Sequence, residues 1–449
     1  MTKSSRPDCI IVGGGIAGIA AAITLARRSV RVLLLETRKK LGGRATSFVD
    51  ARSGHTVDNC QHVALGCCTN YLRLCEHLGV SDKLAWHDDI HWFESGRGGE
   101  AAAGRHSVLR GAHLPAPAHG GPSLLTARFL SLADKLALAR AMTAAMFTDR
   151  ARHSGITFAQ WLESTRPTPA SVARFWSPLM VSACNLEVDR VCAATALHVV
   201  QEGFLANRVG SRMAVAAVPL VELYDPAEAI IAAAGGEIRL GASVSAIGER
   251  AVTLADGLVI SADRVISAVP AERAIRTVDA ELQQRDDRLS RLAPHLTHSP
   301  ILGVHLVFDR PVMRTPNAVL VDRATQWLFR KDDGPDGGRI VHAVISAADD
   351  WMPLPEPEIV ERVVADIRAC IPAASSAQVV SARAVKEKLA TYAATPAFEA
   401  HRPATASDAS RLILAGDYVR TGWPATMEGA TRSGFQAAAA ALGEPAESF

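Results

Sequence analysis

The chain has 449 residues, with 48 Lys and Arg against 46 Asp and Glu and a formal charge of +2. That length sets a prior of two or three compact units, and the balanced charge leaves no excess to hold a polyanion, which argues against nucleic acid as the main partner. At 48% hydrophobic, 21% charged and only 5% aromatic, the composition argues against disorder and a membrane bundle, and small aliphatic residues are expected to line whatever pocket the chain builds.

In chain order, residues 9–12 read as a short apolar strand, 13–18 as a glycine loop and 19–27 as an Ala-rich helix. Residues 30–35 read as a second strand ending at Glu36, which completes a βαβ unit. After residues 41–45 comes a polar stretch, 50–61, and then a helix from about 66 to 78, on which Cys68, Tyr71, Leu72, Cys75 and Leu78 recur at helical spacing. Residues 96–122, rich in Gly, Pro and His, are expected to be loop, with His106, His113 and His119 solvated. Helical patterns follow over 129–147 and, after Pro178, as far as Phe204. Short strands with glycine turns over 235–269 suggest an antiparallel ribbon returning to a parallel sheet. Residues 301–308, 318–321 and 339–345 read as strands of a different sheet, 359–370 as a helix, 412–414 as a strand and 424–442 as a long helix with Pro424 in its first turn.

The segment Gly13-Gly14-Gly15-Ile16-Ala17-Gly18 fits G-x-G-x-x-G between a strand and a helix, with Glu36 at the end of the next strand. Gly13 makes the tight turn. Gly15 lets a pyrophosphate approach the helix N-terminus, with Ile16 and Ala17 in the loop beside it, and Gly18 permits close helix–strand packing. Glu36, with Thr37 beside it, can accept hydrogen bonds from ribose hydroxyls. A dinucleotide is therefore expected. The eight cysteines include no CxxC pair, which suits a reducing compartment. Cys60, His62, Cys67, Cys68 and Cys75 do not have zinc-site spacing, and no metal is expected.

Leu41-Gly42-Gly43-Arg44-Ala45 resembles the second glycine pair of the flavoprotein superfamily that contains amine oxidases, phytoene desaturases and protoporphyrinogen oxidase. Leu414-Ala415-Gly416-Asp417 resembles its C-terminal motif. The resemblance implies FAD, with Gly42, Gly43 and Arg44 near the flavin and its diphosphate, and Gly416 and Asp417 at the ribityl chain or diphosphate. It also implies Val244 at adenine and the backbone of Ala425, Thr426 and Met427 at the flavin ring. A helix start there would stabilise the negative charge of a reduced flavin. Glu428 reads as a simple first-turn acid.

Residues 57–66, with Asp58-Asn59-Cys60-Gln61-His62 at their centre, resemble hydroxysqualene dehydroxylases, the squalene-associated FAD-dependent desaturases of hopanoid synthesis. Residues 178–185, 218–224 and 421–429 support the likeness. Cys60 stands where that pattern more often has glycine, and Cys184 and Leu186 interrupt another part of it. The resemblance implies reductive loss of the hydroxyl of a long-chain isoprenoid. Asp58, Gln61 and His62 are the catalytic candidates, able to meet the departing oxygen with a proton or hydrogen bond. A competing reading has them merely tie a loop to the flavin domain.

A carotenoid-type desaturase, which runs the hydride the other way, is the alternative within enzymes. A flavin-fold lipid escort is the alternative outside them. An amine oxidase is disfavoured because Trp423 is the one obvious aromatic near the flavin motif. Only one glycine-rich fingerprint is evident, so no NADPH domain is expected and the electron donor is left open. The polar opening and the lack of a ~20-residue apolar run point to a cytoplasmic protein, with peripheral contact at the inner membrane face through the region around residues 129–147. The expected fold is α/β: a Rossmann-like, discontinuous FAD-binding domain of glutathione-reductase type from residues 1–95, 210–290 and 396–449, plus an α+β substrate-binding domain from residues 96–209 and 291–395.

Overall fold

The strands Cys9–Val12 and Val32–Glu36 are apolar without alternation, the mark of strands covered on both faces. Both are buried throughout in the computed structural model, which describes residues 6–52, 54, 56–95, 105–332 and 337–445. They belong to a five-stranded, all-parallel sheet in the order Glu237–Leu240, Val32–Glu36, Cys9–Val12, Arg264–Ser267 and Ile413–Leu414. The first strand lies in the middle, so the chain leaves this sheet after Glu36 and again after Ser267, returning each time. The helix Ile16–Ala26 follows the first strand and is buried at every residue. Its Ala-rich surface allows the C-terminal helix Met427–Leu442 to come close: a Cβ on Gly434 would stand 2.3 Å from the Ala17 carbonyl oxygen. The expected glycine loop is shorter than its motif, because Gly18 already lies inside the helix, which starts at Ile16.

The antiparallel ribbon forms as expected from Val244–Ile247, Ala251–Leu254 and Val259–Ser261. A second, seven-stranded sheet runs Val379–Tyr392, His298–Phe308, Ile340–Ser346, Trp327–Arg330, Asn317–Val321, Ile90–Glu94 and His106–Leu109. It is antiparallel except where Asn317–Val321 meets Ile90–Glu94. The 14-residue strand Val379–Tyr392 has no counterpart in the sequence reading: it lies at the sheet edge, where Arg383, Lys386, Glu387 and Lys388 mask its pattern.

Three corrections concern the segments between the sheets. Within 96–122, where a loop is expected, His106–Leu109 is a strand and helical turns begin at Ala118, while residues 96–104 lie outside the described residues. His119 is buried rather than solvated, and His106 stacks on Phe93 at 4.4 Å. The helical pattern after Pro178 is two helices, Ser177–Cys184 and Ala193–Val200, because Asn185 takes a left-handed φ of 51° and ends the first. These helices and Leu132–Phe147 pack on Trp92 of the seven-stranded sheet through Phe129, Phe158, Trp161 and Trp176. Among the described residues, no helix is long and apolar enough to cross a membrane.

Candidate active site

The two glycine loops lie side by side at the carboxyl ends of the parallel strands, where open α/β sheets bind ligands. Gly15 and Gly42 form an isolated parallel bridge, and the Gly42 N–H donates to the Gly14 carbonyl at 2.8 Å. The three motif glycines differ in what surrounds them. Gly13 has φ +111°, and a Cβ there would meet the Ala268 carbonyl oxygen at 2.6 Å; one on Gly18 would stand 1.9 Å from the Gly13 carbonyl oxygen. A Cβ on Gly15 would find its nearest atom 3.9 Å away, at Gly43 Cα, so Gly15 faces open space. Glu36 is fixed by two backbone donors, Gly14 N–H at 2.6 Å and Arg38 N–H at 2.7 Å. Its carboxylate keeps further acceptor sites for hydroxyl groups.

Arg44 forms an ion pair with Asp417, joining the second glycine pair to the C-terminal motif, and its guanidinium lies 5.1 Å from the Tyr392 ring centroid. The loop after Asp417 is held from behind by Arg402, which donates to the carbonyls of Trp423, Asp417 and Val419 at 2.6, 2.8 and 2.6 Å. The helix expected to start at Pro424 starts at Met427, with Thr426 as N-cap accepting from Gly429 N–H. Pro424 therefore precedes the cap instead of occupying the first turn.

These loops wall one end of a cavity of about 700 Å³, within the range of small-molecule sites. Gly13, Gly15, Ile16, Ala17, Glu36, Thr37, Gly42, Gly43, Arg44, Val244, Gly416, Asp417, Ala425, Thr426 and Met427 all line it. Gly18 packs behind the loop. The open face of Gly15, the uncommitted acceptors of Glu36 and the start of an all-buried helix fit a dinucleotide pyrophosphate and ribose. The rest of the cavity is largely aliphatic and aromatic, with Leu65, Leu179, Phe204, Ile301, Trp327 and Phe329 among its walls.

The catalytic candidates separate. Asp58 does not line the cavity. It ends the strand Thr56–Asp58, and its carboxylate accepts from Ser47 Oγ at 2.8 Å and Leu220 N–H at 3.1 Å and pairs with Lys331 at 3.4 Å. Its place in the structure is that of a loop anchor, because these donors occupy it away from the cavity. Asn59 works alongside it, donating from Nδ2 to the Arg44 carbonyl at 2.8 Å and to Glu387 at 3.2 Å. Gln61 and His62 do line the cavity. His62 Nδ1 lies 3.0 Å from the Cys60 carbonyl oxygen, which assigns the N–H to Nδ1 and the lone pair to Nε2. Burial pushes the His62 pKa down against that hydrogen bond. Gln61 Oε1 is buried and has no hydrogen-bond partner among the described residues.

One site residue goes unseen in the sequence reading, and another does more there than that reading foresees. Glu428, expected as a plain first-turn acid, is buried and caps another helix: it accepts from Asn70 N–H, Asn70 Nδ2 and Tyr71 N–H at 3.2, 2.7 and 2.7 Å, at the start of the helix Thr69–Leu78. Burial raises its pKa against those three hydrogen bonds. His198, on Ala193–Val200, lines the cavity edge-on to Trp423 with ring centroids 4.5 Å apart. A signal for Glu428 was its position one residue into a helix, but its partners lie 357 and 358 positions away. No local pattern reveals such a contact.

Residues 16–442 match the family model for flavin containing amine oxidoreductases. Among curated proteins, the chain is 26% identical to a zeta-carotene desaturase of Solanum lycopersicum, over 96% of this chain and 80% of that protein. It is also 26% identical to a 15-cis-phytoene desaturase of Synechococcus elongatus, over 94% and 93%. Solved structures with the same fold include putrescine oxidase, at TM-score 0.69, 18% identity and coverage of 98% and 100%. Cyclohexylamine oxidase from Brevibacterium oxydans matches at TM-score 0.68, 18% identity and coverage of 98% and 99%. The chain thus belongs to the flavin-containing amine oxidoreductase family, as an FAD-dependent oxidoreductase.

Proposed function

We propose that this oxidoreductase removes the hydroxyl group of hydroxysqualene reductively, giving squalene and water. The observation that carries the reading is the division of the cavity. One end is built of glycine loops and helix starts, the other is a largely aliphatic and aromatic hollow suited to an isoprenoid chain, and Gln61 and His62 lie on its wall. In this reading the residues 13–18 take the pyrophosphate, Glu36 and Thr37 the ribose, and Val244 the adenine. Gly42, Gly43, Arg44, Gly416 and Asp417 take the diphosphate and ribityl chain, and Ala425 to Met427 the ring. We assign the flavin unit to residues 1–95, 210–290 and 396–449, less the strand Ile90–Glu94, which pairs in the seven-stranded sheet, and the rest to the substrate.

Reduced FAD, when bound there, would supply the hydride that replaces the hydroxyl. The chain supplies the proton: an allylic alcohol plus hydride plus proton gives the alkene and water. Hydroxide leaves poorly, so His62 Nε2, once protonated, meets the departing oxygen. Burial makes that imidazolium a stronger acid than an exposed one. Asp58 acts through the loop and is a positioning residue. A substrate this apolar resides in membranes. The exposed Leu125, Leu132, Leu136, Met146 and Phe147 around the helix Leu132–Phe147 are the surface we assign to peripheral contact.

The likeness to zeta-carotene and phytoene desaturases over almost the whole chain favours a second reading, desaturation of a long polyene precursor. There His62 Nε2 accepts a proton as hydride leaves the substrate. Redox direction separates the two. Oxidised holoenzyme mixed anaerobically with phytoene, and dithionite-reduced holoenzyme freed of excess dithionite and mixed with hydroxysqualene, are each followed by flavin colour and product analysis. Return of the yellow flavin with squalene in the second mixture supports dehydroxylation; bleaching with a desaturated product in the first overturns it in favour of desaturation.

A further inference from the structure

The 14-residue strand Val379–Tyr392 places in the cavity wall a carboxylate that the chemistry described so far leaves unused. Residues directly opposite on paired strands share a face of the sheet. Glu387 stands opposite Ile301, and both line the cavity. Its neighbour Lys386 points the other way, donating to the Met352 and Leu354 carbonyls at 2.8 and 2.5 Å, as strand alternation requires.

Four other carboxylates line the cavity among the described residues, and each has its charge met. Glu36 accepts from two backbone N–H groups, and Asp417 pairs with Arg44. Glu202 pairs with Arg150 at 2.8 Å, and Glu428 accepts from Asn70 and Tyr71. Glu387 is different. Among the described residues it has no ion pair, and its one hydrogen bond comes from a neutral amide, Asn59 Nδ2 at 3.2 Å, which also donates to the Arg44 carbonyl at 2.8 Å. A carboxylate has about four acceptor sites, so most of those on Glu387 are uncommitted in a largely aliphatic and aromatic cavity. Leaving them unmet there is unfavourable, which selects a ligand that brings a donor.

Through Asn59 this carboxylate adjoins the 58–62 loop, and its charge is felt at Cys60 and His62. Burial lowers the His62 pKa, and the Cys60 carbonyl, Asp58 and Glu387 act against it. A hydroxyl that donates to a carboxylate keeps its own lone pairs free for a second donor. In the proposed dehydroxylation, His62 Nε2, once protonated, is that second donor.

We propose that Glu387 recognises the substrate hydroxyl, accepting a hydrogen bond from its O–H and presenting the oxygen to His62. The inference rests on the dehydroxylation reading. A proton passes from His62 to that oxygen, the C–O bond breaks with its electron pair leaving on the oxygen as water, and the carbon takes the hydride from the reduced flavin. Glu387 is unchanged by the reaction and holds the water as it held the alcohol. A hydrocarbon of the same length offers it no donor, and the carboxylate discriminates against such a ligand.

The test compares hydroxysqualene with squalene, which lacks the hydroxyl, on oxidised holoenzyme, where binding is read from the flavin spectrum without turnover. Wild type is expected to bind the alcohol on the order of tenfold to a hundredfold more tightly. Glu387→Leu is expected to bind both with equal affinity, with flavin content and melting temperature checking that it folds. Glu387→Gln keeps the Asn59 bond and one acceptor; it is expected to show a preference of intermediate size and serves where the leucine variant does not fold. Single turnover of reduced wild type with hydroxysqualene is followed alongside. A wild type without preference, or a preference undiminished in the variants, would overturn hydroxyl recognition by Glu387 whether or not squalene forms. A preference lost in the variants, from a wild type that leaves hydroxysqualene unreduced, would overturn dehydroxylation and support Glu387 as the hydroxyl-binding group.

Discussion

Arg44 and Asp417 are 373 positions apart in the chain and form one ion pair, in which the carboxylate keeps only 7% of its side-chain exposure. The pair fastens the loop after the second strand to the segment that re-enters the parallel sheet last. Asp417→Ala leaves the Arg44 guanidinium unpaired in the cavity wall. The expected result is a loss of about 2 kcal/mol in stability and purification largely without flavin, measured by urea unfolding and by the absorbance of the isolated protein.

The glycine loop separates packing from binding. A methyl group at Gly18 would meet the Gly13 carbonyl oxygen at 1.9 Å, whereas one at Gly15 meets nothing closer than 3.9 Å. Gly15→Ala is therefore expected to fold with stability changed by no more than about 1 kcal/mol while FAD affinity falls on the order of tenfold or more, because the methyl group occupies the cavity. Gly18→Ala is expected to unfold or fail to accumulate. FAD titration of the apoprotein by fluorescence, beside thermal melts, checks both.

Acid sensitivity follows from buried imidazoles. Burial lowers His198 and His305 to about 4, below the unfolded value of about 6.5. In that window the unfolded chain binds more protons than the fold. Stability from keeping these rings neutral is full above about pH 6.5 and is lost as pH falls toward 4. Each contributes up to about 3 kcal/mol to that loss. The expected outcome is that His198→Phe flattens the fall in unfolding free energy between pH 7 and pH 4.5, as measured by denaturant titration at each pH. An unchanged slope would contradict the neutral, buried imidazole.

Much of this architecture is legible in the sequence, for identifiable reasons. The βαβ unit and the antiparallel ribbon are local: apolar runs, glycine turns and an acid at a strand end all fall within a few dozen residues. The edge strand Val379–Tyr392 is hidden because charged residues interrupt its pattern at a sheet margin. For Asp58 the structure matches the competing reading, a loop tie, but its partners, Ser47, Leu220 and Lys331, are hidden because they come from three separate segments. The same holds for Glu428, whose role depends on a helix start more than 350 residues earlier in the chain. The family resemblance singles out the 58–62 loop but does not tell which side chains of the cluster turn toward the cavity; Gln61 and His62 do.

The apolar surface around Leu132–Phe147 makes a separate expectation. Phe147 is 81% exposed and Leu132 71%, an arrangement suited to shallow burial in a bilayer interface. Holoenzyme is expected to float with anionic liposomes, and the double variant Leu132→Glu, Phe147→Glu to remain at the bottom of the gradient with its flavin content unchanged. Equal flotation of the two proteins would remove this face from consideration.

The most direct measurement is an anaerobic single turnover of reduced holoenzyme with hydroxysqualene, counting squalene formed against flavin reoxidised. The expected result is one squalene per flavin oxidised, abolished in His62→Gln with FAD still bound. Flavin that stays reduced, or flavin reoxidised with no squalene formed, would contradict reductive dehydroxylation as the activity of this protein.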